Sequence, residues 1–251
     1  MIVAEGLTKI FPDPRRGGEV RAVDGVTFTC RPGRIFGLLG PNGAGKTTTL
    51  RILSTALVPT AGTAAVEGCD VVADPVGVRR RIGFLTGTTG IYERLTPREM
   101  VRYFGRLYGM EGGALRSRLE EVFDLLGMHD FADTPNGRLS AGMRQKVSLA
   151  RTIVHDPPVL IFDEPTTSLD VLVARTVMEF IEERRSSGRT VLLSTHIMGE
   201  AERLCDDLAI IHEGRILDQG TVGEVKARAG SDRIEEVFFS LIDACAETAS
   251  P

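Results

Sequence analysis

The sequence predicts an α/β fold built on a mostly parallel sheet, and three observations carry that expectation. Apolar strand-like runs alternate with amphipathic helical stretches; the apolar run Ile35 to Leu39 passes through a glycine-rich loop into a helix; and the apolar period lengthens to helical spacing at Thr96. A chain of 251 residues with 42% hydrophobic and 25% charged side chains has ample material for a core, which excludes intrinsic disorder. Its 34 acidic and 30 basic residues leave a net charge of −4, a poor balance for a nonspecific nucleic-acid binder. Only Lys9, Lys46, Lys146 and Lys226 are lysines; every other basic residue is arginine.

From the N-terminus, Met1 to Thr8, Val20 to Cys30 and Arg34 to Leu39 read as strands, with Gly62 to Val66 a short fourth. Pro12 to Glu19 is expected as a polar loop between the first two. Thr96-Pro97-Arg98-Glu99 places an N-cap, a proline at the first helical position and a glutamate at the third, a capping box. Met100, Val101, Phe104, Leu107 and Tyr108 then recur at helical spacing. Leu115 to Leu126 and Met143 to Val154 follow as further amphipathic helices, so residues 88–155 are expected as a helical block inserted between strands. Strand character returns at Pro158 to Asp163, Thr190 to Ser194 and Asp207 to Gln219, the last turning at Glu213-Gly214. A helix over Val171 to Arg185 joins the first two, and the tail from Thr221 reads as helical, then frayed. Arg79-Arg80-Arg81 and Arg184-Arg185 are expected as solvated helix faces.

The longest stretch without a charge, Ile52 to Val66, is 15 residues and holds Pro59 and Gly62, too short and too broken to span a bilayer. The N-terminus reads as a strand, not a signal peptide, and Cys30, Cys69, Cys205 and Cys245 form no CxxC pair. Buried or idle thiols of a cytosolic protein are the expectation.

Gly40-Pro41-Asn42-Gly43-Ala44-Gly45-Lys46-Thr47 matches G-x-x-x-x-G-K-[ST] between the strand ending at Leu39 and the helix of Thr48 to Leu53. Glycines let backbone N–H groups turn toward phosphates, and the helix N-terminus adds partial positive charge. Lys46 supplies a compact cation to the β/γ-phosphates and the Thr47 hydroxyl a ligand for Mg²⁺. Kinases, GTPases and ATPases share this loop; the guanine-reading N-K-x-D tetrapeptide does not occur here. Val159-Leu160-Ile161-Phe162-Asp163-Glu164 is an apolar strand ending in two carboxylates whose side chains are expected on opposite sides. Asp163 is placed to hold the Mg²⁺ shell and Glu164 to polarise an attacking water. Pro165 is expected to keep Glu164 extended.

Leu139-Ser140-Ala141-Gly142-Met143-Arg144-Gln145 resembles the LSGGQ signature of ATP-binding-cassette (ABC) ATPases, Ser168-Leu169-Asp170 their D-loop and His196 their switch histidine. Phe11 falls where that family stacks an aromatic on adenine. The resemblance spans roughly residues 2–225 with the motifs in family order. It implies a P-loop NTPase (RecA-like) core with an antiparallel β subdomain over 1–87 and 156–222, a helical signature subdomain over 88–155 and a helical tail over 223–251. It implies ATP and Mg²⁺, held by Phe11, Gly40, Asn42, Gly43, Gly45, Lys46, Thr47, Thr48, Asp163 and Asp170, with Ser140 and Gly142 contributing across a dimer of ATPase subunits, a homodimer in the simplest case. Lys46, Glu164 and His196 would carry hydrolysis.

Independently, Ser140 can cap the helix that follows and leave free N–H groups at a dipole-positive end. The departures are Ala141 and Met143 within the signature, and no glutamine near Gly87 where the family has its coupling residue. The stretch Thr86 to Glu99, Tyr103 to Gly109 and Glu235 to Phe239 are similar to the sodium-exporter (NatA-like) branch, with drug exporters as neighbours. The expected setting is the cytoplasmic face of the membrane under a separate multispanning subunit, without nucleic acid and without insertion into the bilayer. A soluble ABC ATPase acting on ribosomes or DNA is the rival.

Overall fold

The computed structural model describes residues 1–13, 17–86, 90–167 and 169–248. The chain opens with a long antiparallel hairpin, β1 (Ile2–Asp13) and β2 (Gly18–Cys30), followed by β3 (Ile35–Leu39) and α1 (Lys46–Leu53). After β4 (Ala61–Val66) and β5 (Cys69–Asp70) come α2 (Pro75–Arg81) and β6 (Ile82–Thr86). The helical block is α3 (Pro97–Leu107), α4 (Gly112–Leu126) and α5 (Ala141–Ile153). The core resumes as β7 (Val159–Asp163), α6 (Val171–Ser186), β8 (Thr190–Thr195), α7 (Met198–Leu204), β9 (Asp207–His212) and β10 (Arg215–Thr221). Two helices, α8 (Val222–Ala229) and α9 (Ile234–Thr248), end it.

The strands form two sheets: β2-β1-β4-β5, all antiparallel, and β10-β9-β3-β8-β7-β6, parallel except for β10. Strands β3, β7 and β8 are buried throughout because both faces of the parallel sheet are covered. Their alternation divides the core. Ile35, Leu39, Leu160, Phe162, Val191 and Leu193 face α3 to α9, whereas Phe36, Leu38, Val159, Ile161 and Leu192 face α1, α2 and the antiparallel sheet. The helical block shares the first of these cores through Met100, Leu119, Phe123 and Val147.

Several local signals act as read. Thr96 and Glu99 form the capping box of α3, and Glu213-Gly214 turns with both residues at positive φ, the geometry of a type I′ hairpin. The Pro12–Glu19 loop is a correction. β1 runs on to Asp13 and pairs Phe11 with Val20, Pro12 with Glu19 and Asp13 with Gly18. β4 leaves β1 at Thr8, so beyond it one edge of β1 is free of that partner and a proline there costs less. Of the arginine runs, Arg79 and Arg80 are exposed as expected, whereas Arg184 and Arg185 are half-buried, Arg184 lying over the Phe180 ring and Arg185 pairing with Asp206.

Candidate functional site

Parallel pairing sets Leu39 beside Thr195 and Asp163 beside Ser194, so the C-terminal ends of β3, β8 and β7 lie in a row. The segments leaving those ends are the phosphate loop, the His196 turn and the Glu164 turn. This is the edge of a parallel sheet where ligands of α/β folds gather.

The loop is shaped by close approach. A Cβ on Gly40 would lie 2.2 Å from the Ile211 carbonyl, and one on Gly45, at φ 102°, 2.4 Å from the Ala22 carbonyl. Gly45 is also the N-cap of α1, so the loop ends where the first N–H groups of that helix have no partner within it. Lys46, buried, donates through Nζ to the carbonyls of Gly40 at 2.7 Å and Pro41 at 3.0 Å. Ala22, Asn42, Gly43, Gly45, Lys46, Thr47, Thr48 and Glu164 line a small cavity of about 130 Å³.

The two carboxylates do sit apart, but by a different device from the one expected. Asp163 ends β7, while Glu164 adopts φ 49°, the left-handed region, rather than continuing extended. Strand alternation therefore does not separate the pair; the chain reverses its twist between them, a strain of the kind kept at functional sites. Thr47 donates to Asp163 Oδ1 at 3.1 Å. Ser194, fully buried, donates to the same oxygen at 2.6 Å and accepts from the Glu164 N–H at 3.1 Å.

Glu164 Oε1 lies 3.2 Å from Lys46 Nζ, and Oε2 lies 3.3 Å from His196 Nδ1 and accepts from the Thr167 hydroxyl at 3.3 Å. The His196 contact is at ion-pair distance without hydrogen-bond alignment. Burial pushes the Glu164 carboxyl up, and Lys46 followed by His196 outweighs it, holding the group below its ordinary value.

A magnesium ion fits this donor set. Thr47 and Asp163 already meet across a hydrogen bond on the loop side of the pair, offering the hydroxyl and carboxylate oxygens that a hard cation takes beside phosphate oxygens.

The remaining sequence candidates lie outside this cluster. Ser140 is exposed and caps α5 by accepting from the Met143 N–H at 3.3 Å. Asp170 caps α6, accepting from the Leu172 and Val173 N–H groups at 3.0 Å. Gly142 is half-buried, and a Cβ there would meet Val173 Cγ2 at 2.7 Å, so it seats α5 against α6. Phe11 belongs to neither core: half-buried on the hairpin, it sits beneath the Lys9 ammonium at 5.2 Å. Its partner Val20 is two residues from Ala22, which touches the loop. The departure near Gly87 and the Ser168 position of the D-loop motif lie outside the described residues.

Ser194, Thr166, Thr167 and Ala22 escaped the sequence reading. A hydroxyl residue in the last turn of a buried strand, beside a candidate histidine, was the available signal for Ser194. A larger cleft, about 580 Å³, opens elsewhere, between the core and the helical block, lined by Phe84, Ile91, Tyr92, Phe104, Tyr108 and Arg151 among others. No helix among the described residues is long and apolar enough to cross a membrane.

The ABC transporter family profile matches residues 23–167. The ATP-binding protein NatA of Bacillus subtilis (strain 168) is 39% identical over 96% of this chain and 98% of its own length. The daunorubicin/doxorubicin resistance ATP-binding protein DrrA of Streptomyces peucetius is 40% identical over 92% of this chain and 68% of its own. Among solved structures, an ATP-binding subunit of an ABC transporter superposes with a TM-score of 0.86 at 28% identity, covering 96% of this chain and 99% of that one. The phosphate loop, the paired carboxylates and the match along nearly the whole chain lead to one assignment: this chain belongs to the ABC transporter family, as an ATP-binding subunit.

Proposed function

We propose that this chain is the ATP-hydrolysing subunit of an ABC exporter, working as a pair of cassettes on the cytoplasmic face of a membrane beneath a separate multispanning protein. The observation that carries the hydrolytic part is the convergence of Lys46, Glu164 and His196 at 3.2 and 3.3 Å around one carboxylate. Export is supported by relatives named for drug resistance and Nod factor export.

In this reading the loop N–H groups and Lys46 hold the triphosphate of the substrate. Thr47 and Asp163 hold Mg²⁺, which supplies neutralisation of phosphate charge. Phe11 packs against the adenine. Glu164, ionised, accepts a proton from water approaching the γ-phosphate, and His196 orients that water or the phosphate. Ser140, Gly142 and Asp170 serve the nucleotide of the partner cassette. Support for that role is the exposure of Ser140 at a helix N-terminus and of Val171 and Leu172, 83% and 76% exposed, beside Asp170. The helical block, 88–155, carries the resulting motion to the membrane subunit, and the aromatic cleft at its junction with the core suits an apolar segment of that subunit.

Affinity purification from detergent-solubilised membranes tests the setting. Recovery of a multispanning protein is the expected result. Recovery of ribosomal proteins or nucleic acid in its place would sink the exporter reading in favour of a non-transport ATPase.

A further inference from the structure

Glu200 lies on α7, one turn beyond His196, and its carboxylate faces back toward the sheet edge. Glu200 Oε2 accepts from the Thr166 hydroxyl at 2.9 Å and from the Thr195 hydroxyl at 3.2 Å. Both threonines are almost fully buried, at 6% and 2% exposure. Thr166 is two residues after Glu164, in the turn that begins with the left-handed Glu164 and closes through Thr167 N–H to Glu164 O and Leu169 N–H to Thr166 O. Thr195 immediately precedes His196. Its hydroxyl accepts from the Ile197 N–H at 3.0 Å, and its carbonyl accepts from the Gly40 N–H at 3.3 Å. One carboxylate oxygen therefore ties the turn bearing Glu164 to the turn bearing His196, at a residue that also anchors the first glycine of the phosphate loop.

We propose that Glu200 is a positioning residue for ATP hydrolysis: it staples the Glu164 and His196 turns together so that their side chains meet across the water site. The inference rests on the reading of Glu164 and His196 given above. An ionised carboxyl only accepts hydrogen bonds, so a single oxygen can take both hydroxyl protons without needing one of its own. The anchor itself is firm. Ala201 and Leu204 are buried, Met198 packs on the same core, and α7 rests against the C-terminal helix α9. The tail thus supports the staple from behind, which gives α9 a place in the catalytic geometry.

The test uses the full-length chain, alone and with its co-purified membrane subunit, and two variants. Glu200→Ala removes both bonds. Its kcat should fall by about 10- to 100-fold, the scale expected when reacting groups shift by on the order of 1 Å. Nucleotide Kd, read with a fluorescent ATP analogue, should stay within about twofold, because Lys46 and the loop are not contacted by the carboxylate. Glu200→Gln keeps an acceptor oxygen and should recover most of the lost rate. A second readout needs no turnover: the His196 imidazole resonance, assigned by its loss in His196→Gln, should move in Glu200→Ala and return in Glu200→Gln.

Wild-type kcat with an unmoved His196 resonance in Glu200→Ala overturns the proposal, as does equal impairment of the two Glu200 variants. If Glu200→Ala does not fold, Thr166→Val and Thr195→Val each cut one arm and should each lower kcat with Kd retained; normal rates in both overturn it equally. If the wild-type chain hydrolyses no ATP while the resonance still responds to Glu200→Ala, the staple stands and the hydrolytic reading falls.

Discussion

Lys46 Nζ and Glu164 Oε1 lie 3.2 Å apart, joining the first residue of α1 to the turn after β7 across the mouth of the phosphate loop. The lysine side chain is 4% exposed and the glutamate 22%, so the pair is shielded enough for the contact to matter. Lys46 is thereby committed to the Gly40 and Pro41 carbonyls and to the carboxylate at once. A planar guanidinium would not fit the two carbonyls from the same stem, and position 46 is lysine in a chain that otherwise writes nearly all its cations as arginine.

Lys46→Ala should therefore do two things. ATP affinity, measured by fluorescent-nucleotide titration, should drop at least about 10-fold, since a charge-assisted phosphate contact is lost. Stability should change by about 1–3 kcal/mol, because the Gly40 and Pro41 carbonyls lose a donor and Glu164 loses its cation. Unchanged nucleotide binding would contradict the loop assignment.

Glu164→Gln should keep ATP affinity and lose turnover by about 100-fold or more, the range for removal of a general base. With hydrolysis blocked, bound ATP should hold the variant as a dimer on gel filtration, with the wild-type chain remaining largely monomeric. Phosphate release at the wild-type rate would remove Glu164 from this role.

The same carboxylate has a pH signature. Its folded-state pKa is held below its ordinary value of 4.5 by Lys46 and His196 despite the opposing effect of burial. A carboxyl depressed on folding contributes stability above its unfolded pKa and loses it as pH falls through the folded value. The stability difference between wild type and Glu164→Gln in urea should be constant above about pH 5.5 and shrink on acidification below 4.5. A difference that grows toward acid would show Glu164 pushed up, not down.

Ser194→Ala probes the bridge between the carboxylates. Its hydroxyl donates to Asp163 and accepts from the Glu164 N–H at a site with no solvent access. Glu164 N–H keeps the Ser194 carbonyl at 3.1 Å, so the loss falls mainly on Asp163. A destabilisation of about 1–3 kcal/mol is expected, with weaker Mg²⁺ dependence of ATP binding. Urea unfolding and a Mg²⁺ titration of nucleotide binding measure the two separately.

What the sequence showed and what it hid follow the same physics. Gly40 to Thr47 was legible because every requirement of a phosphate loop lies in one contiguous segment between a strand and a helix. Thr96-Glu99 was legible because a capping box is local. β6 was not read, since its five residues include Gly83 and its strand character comes from pairing with β7. Helices α2 and α7, at seven residues each, are too short to show a period. Glu164's left-handed backbone runs against the bias of the following proline, and the contacts of Ser194 and Glu200 depend on strands brought side by side from distant parts of the chain.

Gly142 is where the two roles of one residue can be separated. As a signature residue it would present its N–H to the nucleotide of a second copy; within its own chain it leaves room for Val173 Cγ2, 2.7 Å from where a Cβ would stand. Valine is stiff at χ1 and cannot swing aside cheaply, so Gly142→Ala should cost about 1–3 kcal/mol in urea unfolding. Trimming the neighbour as well, in the double variant Gly142→Ala with Val173→Ala, reopens the space and should return much of that stability. If packing were the whole role of Gly142, ATP-driven dimerisation in the Glu164→Gln background would return with it. If the added methyl group also stands between the helix N-terminus and the partner's phosphate, dimerisation stays weak in a protein that is stable again, and that is the expected result.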